Sequence, residues 1–411
     1  MPPSPVSLDL PFVRQHFPAL ASNWTFFDNA GGSQILKPVV DRITEFLYES
    51  NVQLGASYAV SQLATERVAA GSKAMAKFIN AADPAEVILG PSTSALLRML
   101  AQCFRPTLQP GDEIVVTNVD HEANISPWAE LEREGMVIKT WRVHHTTFEL
   151  DLSDLEALLT PRTRLVAVTH SSNVLGSINP VGAIADLVHA HGALLCVDGV
   201  AFAPHRRVDV QALDVDFYTF SLYKVYGPHQ ALLYGKKELL LGLPGYNHYF
   251  IENTAIPYKF QPGGSSYELS YSLTAIPDYF EALAQHHGHS SDADPIDQAF
   301  DLIQAHEGEL NQRLLSFLHS RPKVKVIGRE TAGPTQRVPT ISFVVEGLSS
   351  DQIPPHLDTQ KIGIRYGHFY ALRLIKDLGL LPNQGVVRVS MVHYNTVEEC
   401  DRLIKKLEEL L

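Results

Sequence analysis

The chain has 411 residues, 33 basic against 45 acidic, a net charge of −12, and 45% hydrophobic with 19% charged residues. That length accommodates a large and a small domain, each with its own core, and the acidity argues against a general binder of nucleic acid or anionic membrane. The 3 cysteines, Cys103, Cys196 and Cys400, form no CxxC pair, and the 18 histidines are scattered, so no disulfide framework and no metal site is expected. The first twenty residues lack a basic segment followed by an apolar core, and no apolar stretch reaches the length of a membrane span. The expectation is a cytoplasmic protein without a membrane partner.

Residues 8–18 read as a short amphipathic helix, and Phe26 to Gly32 as a brief extended piece entering a glycine turn. Lys37–Ser50 is predicted helical, with Pro38 at a position where helices tolerate proline. A longer helix follows over Gln62–Ile79. From there the pattern is strand, loop, helix, repeated. The candidate strands are Glu86–Leu89, Ile114–Thr117, Met136–Thr140, Leu165–Thr169, Ala193–Val197, Asp216–Thr219 and Ala231–Tyr234. Helices are expected over Ala95–Cys103, Ser126–Glu134, Ser153–Leu159 and Val181–His191. Such alternation predicts an α/β domain, a mostly parallel seven-stranded sheet flanked by helices. The polar run His286–Pro295 marks a boundary near residue 290. Beyond it, a long helix (Ile296–His319), strands at Val324–Ile327, Thr340–Val345 and Val386–Met391, and helices near Asp351–Gln360 and over Val397–Leu411 predict a smaller α+β unit.

In a parallel sheet the ligand sits beyond the carboxyl ends of the strands. After the first candidate strand comes Gly90-Pro91-Ser92-Thr93-Ser94, small hydroxyl residues opening a helix, which suit an anion as well as an ordinary helix cap. His121 follows the second, a flat ring able to stack. Asn173 follows the fourth. Asp198 ends the fifth, where a buried carboxylate needs a partner. Lys224 follows the sixth, in Ser221-Leu222-Tyr223-Lys224-Val225-Tyr226-Gly227-Pro228. A lysine at the end of a core strand reads either as a surface residue or as a desolvated amine able to form a Schiff base. A phosphate cradle, a stackable ring, an aspartate and a lysine on one sheet edge are the groups pyridoxal 5′-phosphate requires.

The phrases FFDNAG, DHEANISPW, THSSNVLGSINP, VDGVAFAPH, DVDFYTFSLYKVYGP and VVRVSMVHYNT together resemble the class V aminotransferase family, fold type I of the pyridoxal phosphate enzymes, and within it the cysteine desulfurase and selenocysteine lyase group. The resemblance runs from about Phe26 to the C-terminus. It implies that Lys224 is the Schiff-base lysine and proton shuttle, that Asp198 pairs with the pyridine nitrogen, and that His121 stacks on the ring. Ser92, Thr93 and Ser221 would hold the phosphate, and Asn173 would lie near the phenolic oxygen and the substrate carboxylate. Arg388 would grip that carboxylate. Ser265 matches a phosphate contact made across a dimer interface, which implies a homodimer with shared active sites, and the resemblance implies a small-molecule substrate, an amino acid. The expected division is an N-terminal segment, 1–25, packing on the small domain, a large cofactor-binding domain, 26–290, and a small domain, 291–411.

The sequence also departs from that group. Cysteine desulfurases carry a catalytic cysteine in a phrase like R-x-G-H-x-C; here Arg365-Tyr366-Gly367-His368-Phe369-Tyr370 puts Tyr370 at the thiol position. Ala201 stands for the usual glutamine, and Gln53-Leu54 for a His-Arg pair. A phenol cannot carry a persulfide, so the expected reaction is β-elimination, cleaving a C–S or other Cβ–X bond, with Tyr370 as an acid or a pocket wall. Transamination and racemisation or epimerisation use the same groups, and a non-catalytic cofactor-binding scaffold is the alternative outside enzymes. Tyr58, Tyr249, Phe250, Tyr258 and Tyr267 suggest an aromatic pocket for a bulkier substrate, or ordinary packing.

Overall fold

The computed structural model describes residues 7–288 and 292–411. The expected boundary at residue 290 and the first six residues of the N-terminal segment therefore lie outside the described residues. Seven strands form the large sheet: β1 (Val87–Gly90), β2 (Glu113–Thr117), β3 (Val137–Trp141), β4 (Thr163–Thr169), β5 (Leu194–Asp198), β6 (Phe217–Ser221) and β7 (Ala231–Gly235). Their spatial order is β1-β7-β6-β5-β4-β2-β3. Only β7 runs against the others.

The central strands are buried at nearly every position because both faces are covered, as parallel sheets require. Alternate side chains enter opposite cores. Leu195, Val197, Tyr218 and Phe220 pack on one face, whereas Cys196 and Phe217 join Ile114, Val116 and Trp128 on the other. The covering helices include Lys37–Glu49, Ala59–Phe78, Thr93–Phe104, Val181–Ala190 and Ala275–His286. The helix at Thr93–Phe104 starts where Ser92 caps it, its hydroxyl oxygen accepting from the Ala95 amide at 3.2 Å.

The second sheet orders β10 (Arg365–Gly367), β11 (Val386–Ser390), β9 (Thr340–Val345) and β8 (Val324–Ile327), all antiparallel. It is backed by the long helix Pro295–His319, which Asp294 caps with Pro295 in the first turn, and by Val397–Glu408, which opens on a Thr396/Glu399 capping box. Its core joins Leu314, Phe343, Val387 and Leu403 to Phe27.

The N-terminal segment ties the two sheets together. Thr25–Phe26 pairs in parallel with Ile362–Gly363, and Arg14 bridges Glu399 at 3.0 Å. The same segment also touches the large domain, since Phe12 stacks on His286 and Phe17 packs on Tyr226 and Tyr279. Two expectations need correcting. Ser126–Glu134 is not one helix: a short α-helix, Ser126–Ala129, tightens to a 3-10 turn that ends at Gly135 with φ of 93°. Tyr58, Tyr249, Phe250 and Tyr258 are exposed and Tyr267 is part-exposed; none of them lines the cavity at the strand ends, so they form no substrate pocket within this chain.

Candidate active site

A cavity lies at the carboxyl ends of β1, β2, β4, β5 and β6. It is lined by Ser92 and Thr93, by His121, by Asn173, by Asp198, and by Ser221 and Lys224. Strand direction explains the convergence, because these strands run the same way and each delivers its following residue to one edge.

Lys224 ends the 3-10 turn Leu222–Lys224 and is 8% exposed. The turn is fastened on its far side by Tyr226, which holds φ at 62°. Its hydroxyl donates to the Pro204 carbonyl at 2.9 Å and lies 3.0 Å from His393 Nδ1. Burial, with Arg388 adding repulsion, lowers the Lys224 amine to about 8. It is therefore far easier to neutralise than an exposed lysine, the condition a nucleophilic amine needs.

Asp198 is 3% exposed and one of its carboxylate oxygens accepts from the Val200 amide at 2.9 Å. Burial raises its pKa to about 6, opposed by that hydrogen bond and by Lys224. A carboxylate held this dry is stabilised by any cation brought to it. Gly199 follows because a Cβ there would lie 2.2 Å from the Tyr218 ring.

His121 is neutral: burial and the Lys224 charge lower it to about 4. Its Nδ1 accepts from the Ala123 amide at 3.1 Å, which leaves the proton on Nε2. On the phosphate side, the Thr93 and Ser221 hydroxyls lie 2.8 Å apart at the N-terminus of the helix Thr93–Phe104. Hydroxyls, helix N-terminus, neutral ring, buried carboxylate and buried amine fit a phosphorylated pyridine aldehyde group by group.

Arg388 is 2% exposed and lies beside this cavity rather than open in it. Its Nη2 meets Asp28 at 2.9 Å, its Nη1 donates to the Asn173 carbonyl at 3.1 Å, and the Phe369 ring covers its face at 3.7 Å. Nε has no partner among the described residues. Tyr370 is 65% exposed, with its ring 5.1 Å from that of His121. Ser265 is not brought to the Lys224 cavity of its own chain; it lines a separate cavity with Pro91, His229 and Gln261. The three cysteines are buried in the helix Thr93–Phe104, in β5 and in the helix Val397–Glu408.

Three residues of the site escaped the sequence reading. Asp28, in the FFDNAG phrase, is the counter-ion of Arg388. Phe369, beside Tyr370, covers it. Asp120, one residue before His121, is fully buried; burial raises it to about 7 while Thr117 and Asn124 hydrogen bonds oppose the rise. Phe369 and Asp120 adjoin residues already singled out and Asp28 lies in a phrase already quoted, but only the fold shows what each touches.

The sequence model of the family described as Aminotransferase class-V matches residues 25–403. The chain belongs to the class-V aminotransferase family. The aminotransferase-like protein FGM3 of Gibberella zeae is 45% identical, over 98% of this chain and 99% of that one. The cysteine desulfurase-like protein ustD of Aspergillus flavus is 38% identical, over 98% and 91%. An apo structure of the cysteine desulfurase of Thermococcus onnurineus NA1 superposes with a TM-score of 0.87 at 28% identity, covering 97% of each chain. Class-V aminotransferases and cysteine desulfurases are pyridoxal phosphate enzymes, and this member is a pyridoxal phosphate-dependent enzyme related to the desulfurases. Among the described residues no helix is long and apolar enough to cross a membrane.

Proposed function

We propose that this class-V enzyme is a lyase that expels a leaving group from Cβ of a sulfur-bearing or otherwise β-substituted amino acid, cleaving a C–S or other Cβ–X bond without a persulfide cysteine. The observation that carries this reading is the sharing of one cavity by the buried Lys224 amine, Asp198 and His121 while all three cysteines are buried elsewhere. Bound pyridoxal phosphate supplies an electron sink for the pair left at Cα. Lys224 would hold it through Nζ, and the same nitrogen, when free and neutral, would take the proton from the substrate's Cα. Asp198 would keep the pyridine nitrogen protonated, an interaction that would relieve its own burial. His121 would face the ring, and being neutral it would add no charge to compete with that proton. Ser92, Thr93 and Ser221 would hold the phosphate, with Ser265 of a second copy of this chain completing the cradle in a homodimer. Arg388, oriented by Asp28 and Phe369, receives the substrate carboxylate at its unpartnered Nε edge. Asn173 borders the same position. Tyr370 forms the outer wall.

The test is incubation of the holoenzyme with cystine and other β-substituted amino acids. Pyruvate and ammonia in equal amounts are expected. The relative named aminotransferase-like favours a second reading, in which the proton returns to the cofactor and a 2-oxo acid leaves without ammonia. That outcome would replace the lyase assignment.

A further inference from the structure

Among the described residues no hydrogen bond or ion pair holds the Lys224 amine; its Nζ lies 6.0 Å from the centre of the Tyr223 ring. Where that nitrogen stands is therefore decided by the turn that carries it. The turn closes on itself, the amides of Val225 and Gly227 both donating to the Leu222 carbonyl at 2.9 Å. Between those two amides stands Tyr226, in the left-handed region at φ of 62°. A bulky residue persists there only where its surroundings over-determine it. Its backbone is tied to Ser33 Oγ at 3.1 Å and to the Leu36 amide at 3.0 Å, and its side chain is tied separately, to Pro204 and His393.

His393 belongs to the small domain. It follows β11, the strand that carries Arg388, by three residues, and it is fully buried. Its ring meets those of Tyr226 at 4.8 Å and Phe17 at 5.8 Å, both edge-on. The protons at this node have one consistent arrangement. The Tyr226 hydroxyl gives its proton to the Pro204 carbonyl at 2.9 Å, a group that can only accept. The Tyr226 oxygen is left to accept, so His393 Nδ1 carries a proton and donates to it at 3.0 Å. Burial keeps the imidazole neutral, with its pKa well below the ordinary value. Nε2 is then bare and accepts from the Tyr279 hydroxyl at 2.6 Å. No polar atom of the three side chains is left unpaired, as a buried network requires.

We infer that His393 is a positioning residue for Lys224: by donating through Nδ1 to Tyr226 it fixes the lysine turn of the large domain against the small-domain segment that carries Arg388, and so places Nζ for attack on an aldehyde in the cavity. In that attack the neutral amine condenses with the aldehyde and one water leaves. The inference rests on Lys224 as the anchor of the cofactor, not on the fate of the substrate.

Two ligands offered to the cofactor-free protein separate placement of the amine from general loosening. Pyridoxal 5′-phosphate is captured covalently, followed by stopped-flow absorbance; 4-deoxypyridoxine 5′-phosphate has the same ring and phosphate but no aldehyde. His393→Gln keeps an acceptor for Tyr279 and loses the donor to Tyr226. It is expected to slow covalent capture about tenfold or more while binding the deoxy analogue within about twofold of the unaltered protein. His393→Asn places an amide N–H near the position of Nδ1 and is expected to restore the rate. Tyr226→Phe removes the acceptor and should slow capture as much, which decides the matter if His393→Gln does not fold. Adding His393→Gln to Tyr226→Phe should then change nothing further. Capture at the normal rate in His393→Gln or Tyr226→Phe, equal loss of both ligands, no restoration by His393→Asn, or additive effects would each overturn the inference. Covalent capture persisting in Lys224→Ala would instead remove the anchor itself, and the inference with it.

Discussion

The chemistry of individual residues follows from burial set against partners. Lys224 is buried beside Arg388, and both push its amine down, to about 8. Capture of pyridoxal phosphate by the cofactor-free protein should then accelerate as pH rises and level off above about 8, where the amine is neutral. A stopped-flow absorbance series would show an inflection near the value of an exposed lysine if the amine were not desolvated. Asp198 and Asp120 shift the other way, to about 6 and about 7 from 3.8. Between the unfolded and folded values the native state holds protons that the unfolded chain has released. Stability of the cofactor-free protein therefore falls as pH rises through that window. In Asp198→Asn that decline should shrink, measured as the urea midpoint at pH about 4.5 and about 7.5. An unchanged decline would mean that Asp198 is not the group responsible. The same variant should retain bound cofactor but turn over about 10²–10⁴-fold more slowly, because the ring nitrogen loses its carboxylate.

At the scale of elements, the segment 368–373 decides how Arg388 is presented. Phe369 and Tyr370 both sit at positive φ, 49° and 60°. Each such residue costs roughly 1–2 kcal/mol. The strain is held by the Phe369 carbonyl accepting from Asn173 at 2.8 Å, the Tyr370 carbonyl accepting from the Glu122 amide at 2.8 Å, and the Arg373–Glu122 ion pair. Phe369→Ala exposes one face of Arg388 and removes a stack of about 1–2 kcal/mol. KM for the amino-acid substrate should rise roughly tenfold with a smaller change in kcat; an unchanged KM would detach Phe369 from substrate binding. None of this was legible in the sequence, which showed the tyrosine but not its backbone. The strands were legible because strands in a core are largely apolar runs: β8 and β9 lie where the sequence places them, and β6 begins one residue and ends two residues later than expected. β10 was not, since its Arg365, Tyr366 and Gly367 are mostly exposed and become a strand only by pairing with Val386–Arg388. Thr25–Phe26 likewise takes its form from a partner more than three hundred residues away. The Lys224 cavity was readable from strand ends. Arg388, beside it, was reached through the family resemblance, whereas its partners Asp28 and Phe369 come from distant parts of the chain and were not.

At the scale of the whole molecule, one chain supplies the lysine, aspartate and histidine but leaves Ser265 in a different cavity. The helices Lys37–Glu49 and Ala59–Phe78 also expose Val40, Leu47, Tyr48, Val60 and Leu63, with Tyr48 86% exposed. Covering these side chains with the second copy of this chain proposed above would remove apolar surface from water. Light scattering should give a dimer mass, and Leu47→Asp with Tyr48→Asp should shift it toward the monomer and lower activity together. A fully active monomer would show that the site is complete within one chain. Every scale depends on Lys224 being the anchor. Borohydride reduction of the holoenzyme, followed by peptide mass spectrometry, should find one phosphopyridoxyl adduct per chain on Lys224 and none in Lys224→Ala. An adduct retained in that variant, or found instead on another buried lysine such as Lys259, would contradict the account at its centre.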